Sequence, residues 1–181
     1  GAVYAGVAES QTYRSKNELS DAKWRWDGGT EGKPSEKGGA PSRGMGALVD
    51  VTKAEGSLVR TGKYTLWHRI ELEGRGRALI CGVGYFPDAS DIKGHKAANK
   101  ELAEALAFFR STGDMVVFGG DLNAHTGANG DLTPPDRAGE MMLATASTAD
   151  MTVLNTVAGL CSGGPSRVQV RVDGVQETTL D

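Results

Sequence analysis

The chain has 181 residues, 39% hydrophobic and 24% charged, the composition of one ordinary globular domain with a real core. Twenty basic against 23 acidic residues leave a formal net charge of −3, so no global field draws the chain onto nucleic acid or an anionic membrane. Two cysteines, Cys81 and Cys161, form neither a disulfide framework nor a zinc pattern; with no signal peptide and no bilayer-length apolar run, the expected setting is reduced and intracellular, nuclear or cytoplasmic.

Ala2 to Glu9 (AVYAGVAE) reads as an interior strand, because both of its faces are apolar or small. Glu9 at its end is, taken alone, a solvated charge just outside a strand. Ser10 to Arg43 turns charged and rich in Gly and Ser, with Trp24-Arg25-Trp26 as its hydrophobic anchor. Interleaved Trp and Arg can stack on bases, but a short strand with one buried Trp is the commoner explanation. Lys33 to Arg43 is a loop by composition. Met45 to Val51 and Thr65 to Leu72 are expected strands. In the second, Leu66, His68, Ile70 and Leu72 alternate with Trp67, Arg69 and Glu71, so His68 reads as a packed, hydrogen-bonded core histidine. Gly74-Arg75-Gly76 turns that strand into Arg77 to Tyr85 as an antiparallel hairpin. Pro87 lacks an N–H and ends the ladder, leaving Tyr85 and Asp88 at the strand's carboxyl end.

Gly94 to Arg110 is the clearest helix, with Ala98, Leu102, Ala105, Leu106 and Phe109 in one stripe and Gly113 as its stop. The pivotal stretch follows at once. Met115 to Phe118 reads as a buried strand, closed by Gly119-Gly120 and then by Asp121, Asn123, His125 and Thr126. If the backbone stays extended, Asp121 and Asn123 project to one side. A carboxylate there can bind a hard cation or take a proton, and a carboxamide can hold a phosphate or a water. A lone D-x-N is more often an Asx-turn; the double glycine and the flanking sequence favour a site. Arg137 to Ala149 is a second helix, with Ala138, Met141, Met142 and Ala146 inward, and Met151 to Asn155 is a short strand. Asp173-Gly174 between Arg167–Val172 and Val175–Asp181 is a hairpin signal. Four strands thus end in chemistry-bearing groups: Glu9, Tyr85 with Asp88, Asp121 with Asn123, and Asp181. Strand ends gathered at one sheet edge are where α/β sites form.

Together these residues resemble the endonuclease/exonuclease/phosphatase superfamily, metal-dependent phosphodiesterases that include abasic-site endonucleases, DNase I and the endonuclease domains of non-LTR retrotransposons. GVAES (Gly6 to Ser10) is similar to the family's strand ending in a metal-binding Glu. RGMGALV (Arg43 to Val49) is similar to its Gly-rich strand, and GYFPD (Gly84 to Asp88) to its Tyr-x-Pro-Asn element. GGDLNAH (Gly119 to His125) resembles the GDFNA signature, and ETTLD (Glu177 to Asp181) the S/T-x-x-D strand. VLNT (Val153 to Thr156), and SRVQV before the Asp-Gly turn, look most like the retroelement branch.

The resemblance implies an α/β (α+β) fold: a two-layer sandwich of mostly antiparallel sheets flanked by helices, four layers α/β/β/α. It implies that Glu9 would ligate Mg²⁺ or Mn²⁺ and that Asp121 would orient and deprotonate the attacking water. The opposite assignment of these two carboxylates stays open. Asn123 would hold the scissile phosphate, Tyr85 would contact it with Asp88 beside them, and Asp181 would align a histidine. None of His68, His95 and His125 matches that histidine by context. Residues 1–181 are then expected to be a single domain, incomplete at both termini and weakly active or inactive by itself. The activity implied is a DNA endonuclease of retrotransposon type, nicking to 3′-hydroxyl and 5′-phosphate. Its partner would be DNA or RNA and no membrane, the chain being a monomer fused to a reverse transcriptase in its full-length context. Two other readings stay open: a phosphatase or phospholipase acting on inositol phosphates or sphingomyelin, and a catalytically dead module that binds a partner.

Overall fold

A computed structural model describes residues 4–8, 23–30, 44–71, 76–127, 133–154, 157, 167–171 and 174–178. The chain divides into two compact units, Gly1–Tyr85 with Glu104–Asp121, and Phe86–Ala103 with Leu122–Asp181.

The first unit is a sandwich of two sheets. Strands β1 (Tyr4–Ala8), β2 (Trp24–Thr30) and β3 (Met45–Asp50) pair antiparallel in the order β1-β3-β2. Strands β4 (Glu55–Thr61), β5 (Thr65–Glu71), β6 (Ala78–Tyr85) and β7 (Met115–Asp121) follow one another across the second sheet. All of its pairings are antiparallel except β6 with β7, which is parallel. A parallel pair needs a crossover, and α1 (Ile92–Ser111) supplies it. The period-2 pattern of β5 decides its two faces. Leu66 joins Met45 and Val83, and Ile70 joins Val49 and Cys81, in two apolar clusters between the sheets. On the opposite face the indole of Trp67 lies 5.2 Å from Phe118 and 5.1 Å from Phe109 of α1. The helix stripe Ala98, Leu102, Ala105, Leu106 and Phe109 is buried, as its spacing requires. Asp91 caps the helix by accepting the Gly94 N–H at 2.8 Å, and Gly113 at φ 73° stops it.

Three strand expectations need correction. β1 is an edge strand among the described residues, with Ala5 and Gly6 exposed, because small side chains tolerate either environment. β7 is also an edge strand among the described residues, with Met115 41% and Val117 52% exposed, rather than buried on both faces. β4 was not expected at all. Its sequence, EGSLVRT, buries little and has a register shift between Leu58 and Arg60, so pairing with β5 rather than its own pattern makes it a strand. Trp24–Trp26, by contrast, is a strand with Trp26 buried, as expected.

A polar layer interrupts the apolar interior of this unit. His68 has no exposed surface, and its Nε2 lies 3.4 Å from Asp27 Oδ2. It is packed as the alternation predicts, but neither ring nitrogen makes the hydrogen bond expected of it. The Tyr4 ring stands 5.6 Å away. Arg25 Nη2 lies 2.9 Å from Asp27 Oδ2 and also donates to the Gly56 carbonyl of β4. Burial pushes the Asp27 carboxyl up, but His68 and the Arg25 guanidinium outweigh it and hold the carboxyl below the usual range. The Thr52 hydroxyl, 2.6 Å from Asp50, holds that fully buried carboxyl low as well, helped by Lys53 at 3.2 Å. A carboxyl depressed on folding stabilises the fold above its unfolded pKa of about 4, and that stability drains away as pH falls through the folded value. Urea midpoints should therefore hold from pH 7 to about 5 and fall below about 4. Asp27→Asn should flatten that fall; an equally steep fall in the variant would mean that this pair is not its source.

The second unit contains the N-terminal half of α1, the segment after β7, helix α2 (Arg137–Thr148), and a hairpin of β8 (Arg167–Arg171) and β9 (Gly174–Thr178). Asp136 caps α2 through the Gly139 N–H at 2.7 Å, and Ala138 and Met142 are its buried inward residues. Met141 and Ala146 are half-buried. The two strands of the expected hairpin pair antiparallel with Arg171 opposite Gly174, so Gly174 is a strand residue; Val172 and Asp173 lie outside the described residues. Met151 to Leu154 is not a strand. The Met151 N–H donates back to the Ala146 carbonyl, and Asp150 has φ 53°, so the chain folds onto the helix end instead of extending. No helix among the described residues is long and apolar enough to cross a membrane.

Candidate active site

In the first unit three strand ends converge. β6 and β7 run parallel with Leu79 against Met115 and, at their carboxyl ends, Tyr85 against Asp121. Register partners on neighbouring strands share a face, so the phenol and the carboxylate stand side by side on the face that carries Cys81 and Val83. β1 travels over the same strand toward the same end. Tyr4 packs on the cluster of Val49, Ile70 and Cys81, while a Cβ on Gly6 would touch Val83 at 3.1 Å. Ala8 and Tyr85 pack together on Met45, Leu66 and Val83. Glu9 is the next residue in the chain; it and Asp181 lie outside the described residues.

The double glycine allows the strand ends to come this close. Gly120 has φ 147°, and a Cβ there would run into the Gly84 backbone, its carbonyl oxygen first. Side chains at that position would force β6 and β7 apart immediately before Tyr85 and Asp121.

Behind Tyr85 stands a segment that the sequence reading passed over. The β4–β5 turn closes with the Gly62 N–H donating to the Thr65 carbonyl at 2.8 Å. Tyr64, buried, accepts the Tyr85 N–H on its own carbonyl at 3.0 Å. The exposed Lys63 ammonium sits 4.7 Å from the centre of the Tyr64 ring. A Gly-Lys-Tyr turn between two strands was the available signal, and it was missed because β4 itself was not foreseen.

The remaining candidates belong to the second unit. Extended backbone ends at Asp121. Asn123 has φ 45°, a left-handed conformation that asparagine tolerates, so the same-side argument from continued extension does not apply to it. Its Nδ2 donates to the Phe86 carbonyl at 2.9 Å, fixing the carboxamide on the loop that follows β6. Asp88 on that loop is exposed. It accepts the Ser90 hydroxyl at 2.7 Å and the Ser90 N–H at 2.9 Å, and these bonds hold its carboxyl below the usual range. His95, with no exposed surface, stands edge-on to Phe86 at 6.0 Å, and neither ring nitrogen has a hydrogen-bond partner. The described residues contain no cluster of three or more His, Cys, Asp or Glu able to hold a metal ion.

No protein-family model and no curated protein matches the sequence. Solved structures do. The endonuclease domain of TRAS1, a telomere-specific non-LTR retrotransposon, aligns with TM-score 0.68 and 15% identity over 99% of this chain and 71% of that one. The human Nocturnin catalytic domain, solved with bound sulfate anion, aligns with TM-score 0.61 and 16% identity over 98% of this chain and 67% of that one. At such identities the likeness is one of fold: this chain has the α/β sandwich fold of these two domains.

Proposed function

We propose that this chain is a phosphodiesterase that cuts nucleic acid, an endonuclease of retrotransposon type leaving 3′-hydroxyl and 5′-phosphate ends. The observation that carries the reading is the meeting of Tyr85 and Asp121 at the end toward which β1 runs. In this reading Asp121 takes a proton from water as the water oxygen bonds to phosphorus. The bond from phosphorus to the 3′-oxygen breaks, and that oxygen collects a proton from solvent. Tyr85, register partner of the base, donates its hydroxyl to a phosphate oxygen. Asn123, whose amide donates to the Phe86 carbonyl, is assigned to the phosphate by resemblance alone. Asp181 is assigned to aligning a histidine by resemblance alone.

A divalent ion fits the donor set. Mg²⁺ keeps most of its waters and asks for one or two carboxylates rather than a closed cage; by resemblance alone Glu9 is that carboxylate, which leaves Asp121 to act on the water. When bound, Mg²⁺ or Mn²⁺ would supply charge to screen the phosphate. The test is nicking of supercoiled plasmid. Open circles should accumulate with Mg²⁺ or Mn²⁺ and stop accumulating with a chelator, and the nicks should be extendable by a polymerase, which requires a 3′-hydroxyl. An intact plasmid in both metals would refute the proposal. Phosphate release from inositol phosphates in its place would transfer the site to the phosphatase branch.

A further inference from the structure

We infer that Lys63, stacked on Tyr64, is a subsite for a second phosphate of a nucleic-acid strand, beside the phosphate held at Tyr85 and Asp121. The inference deepens the proposed function and rests on its substrate class. Tyr64, Tyr85 and Asp121 lie on three neighbouring segments of one sheet edge, linked by the Tyr85 N–H to Tyr64 carbonyl bond and by the Tyr85–Asp121 register. Neighbouring strands are spaced by about 4.8 Å, so two strand steps put the Tyr64 backbone roughly 10 Å from the candidate base, with Lys63 one residue beyond it. Phosphates recur along a strand every ~3.4 Å of duplex axis, so a second phosphate of the same strand falls within reach of that ammonium.

The charge balance makes a local cation necessary. The chain carries a net −3, and the candidate catalytic groups add carboxylates at the place a polyanion must approach. Backbone affinity comes from Lys and Arg that displace counterions from phosphates. Lys63 has the required exposure, and its ring contact limits where the ammonium can go. Tyr64 is anchored in turn by burial and by its backbone bond to Tyr85, so the cation is positioned by the same strand end that carries the phenol.

The experiment is fluorescence anisotropy of a labelled DNA oligonucleotide against NaCl concentration, in chelator so that the strand stays intact, for wild type, Lys63→Ala and Lys63→Arg. Lys63→Ala should reduce the slope of log affinity against log salt by about 1, the signature of one lost phosphate contact, and Lys63→Arg should restore it. Thermal midpoints of the three proteins should agree, which separates lost contact from lost fold. An unchanged slope in Lys63→Ala, or a wild type that does not bind the oligonucleotide, overturns the inference. An unchanged slope beside metal-dependent plasmid nicking leaves the catalytic reading standing. A reduced slope without nicking leaves the phosphate subsite and removes the catalysis.

Discussion

Asp121→Ala slows plasmid nicking by about 10²–10⁴-fold, the range that loss of a general base costs, and leaves the unfolding midpoint nearly where it was. Both halves of this expectation come from where the residue stands. Asp121 is the last residue of an edge strand and is half-exposed, so its truncation opens no cavity in the core. Substitutions at such positions usually change stability by no more than about 0.5 kcal/mol. Its carboxylate nevertheless stands in register with Tyr85, at the end toward which β1 runs. Asp121→Asn keeps the size and one acceptor but cannot take the proton, so it should be nearly as slow as alanine. Equal nicking by wild type and both variants would remove Asp121 from the reaction and, with it, the proposed site.

Gly120→Ala should damage fold and activity together. A residue other than glycine at φ 147° is strained by about 1–3 kcal/mol, and the new methyl would overlap the Gly84 backbone. Overpacking of this kind costs about 1–3 kcal/mol more, for a combined loss of roughly 2–6 kcal/mol in urea unfolding. Because the overlap lies one residue before both Tyr85 and Asp121, β6 and β7 must part where the site needs them closest. The variant should therefore nick poorly even in buffer where it remains folded. Gly119→Ala is the control: a Cβ there meets nothing within 4 Å, and the residue has no positive φ. If the two variants were equally stable and equally active, the backbone contact between Gly84 and Gly120 would not be what sets the site's spacing.

The parts of this fold that were legible in the sequence are those whose own pattern commits them. The α1 stripe, the alternation of β5 and the caps of the helices read directly, since burial and hydrogen bonding there are decided within one element. β4 was illegible because nothing in EGSLVRT asks to be buried; its partner β5 imposes the conformation. The edge positions of β1 and β7 were misread because apolar runs look alike whether one face is covered or two. Met151 to Asn155 has the letters of a strand, but the Asp150 backbone turns it away before it can extend. Of the candidate site, Tyr85 and Asp121 were legible as strand ends, and the register that joins them was not, because no local signal states which strands will be neighbours. Asn123 was legible as a residue type, whereas its left-handed backbone and its bond to Phe86 belong to the loop geometry.

The parallel pairing of β6 with β7 also orders events in time. β4, β5 and β6 join by antiparallel contacts between near neighbours in the chain, whereas β7 can be added only after α1 has formed and crossed back. Contacts between distant residues bear the larger loop-closure entropy and form late. Tyr85 and Asp121 thus become adjacent only once the crossover has closed, so no contiguous stretch of the polypeptide carries the centre by itself.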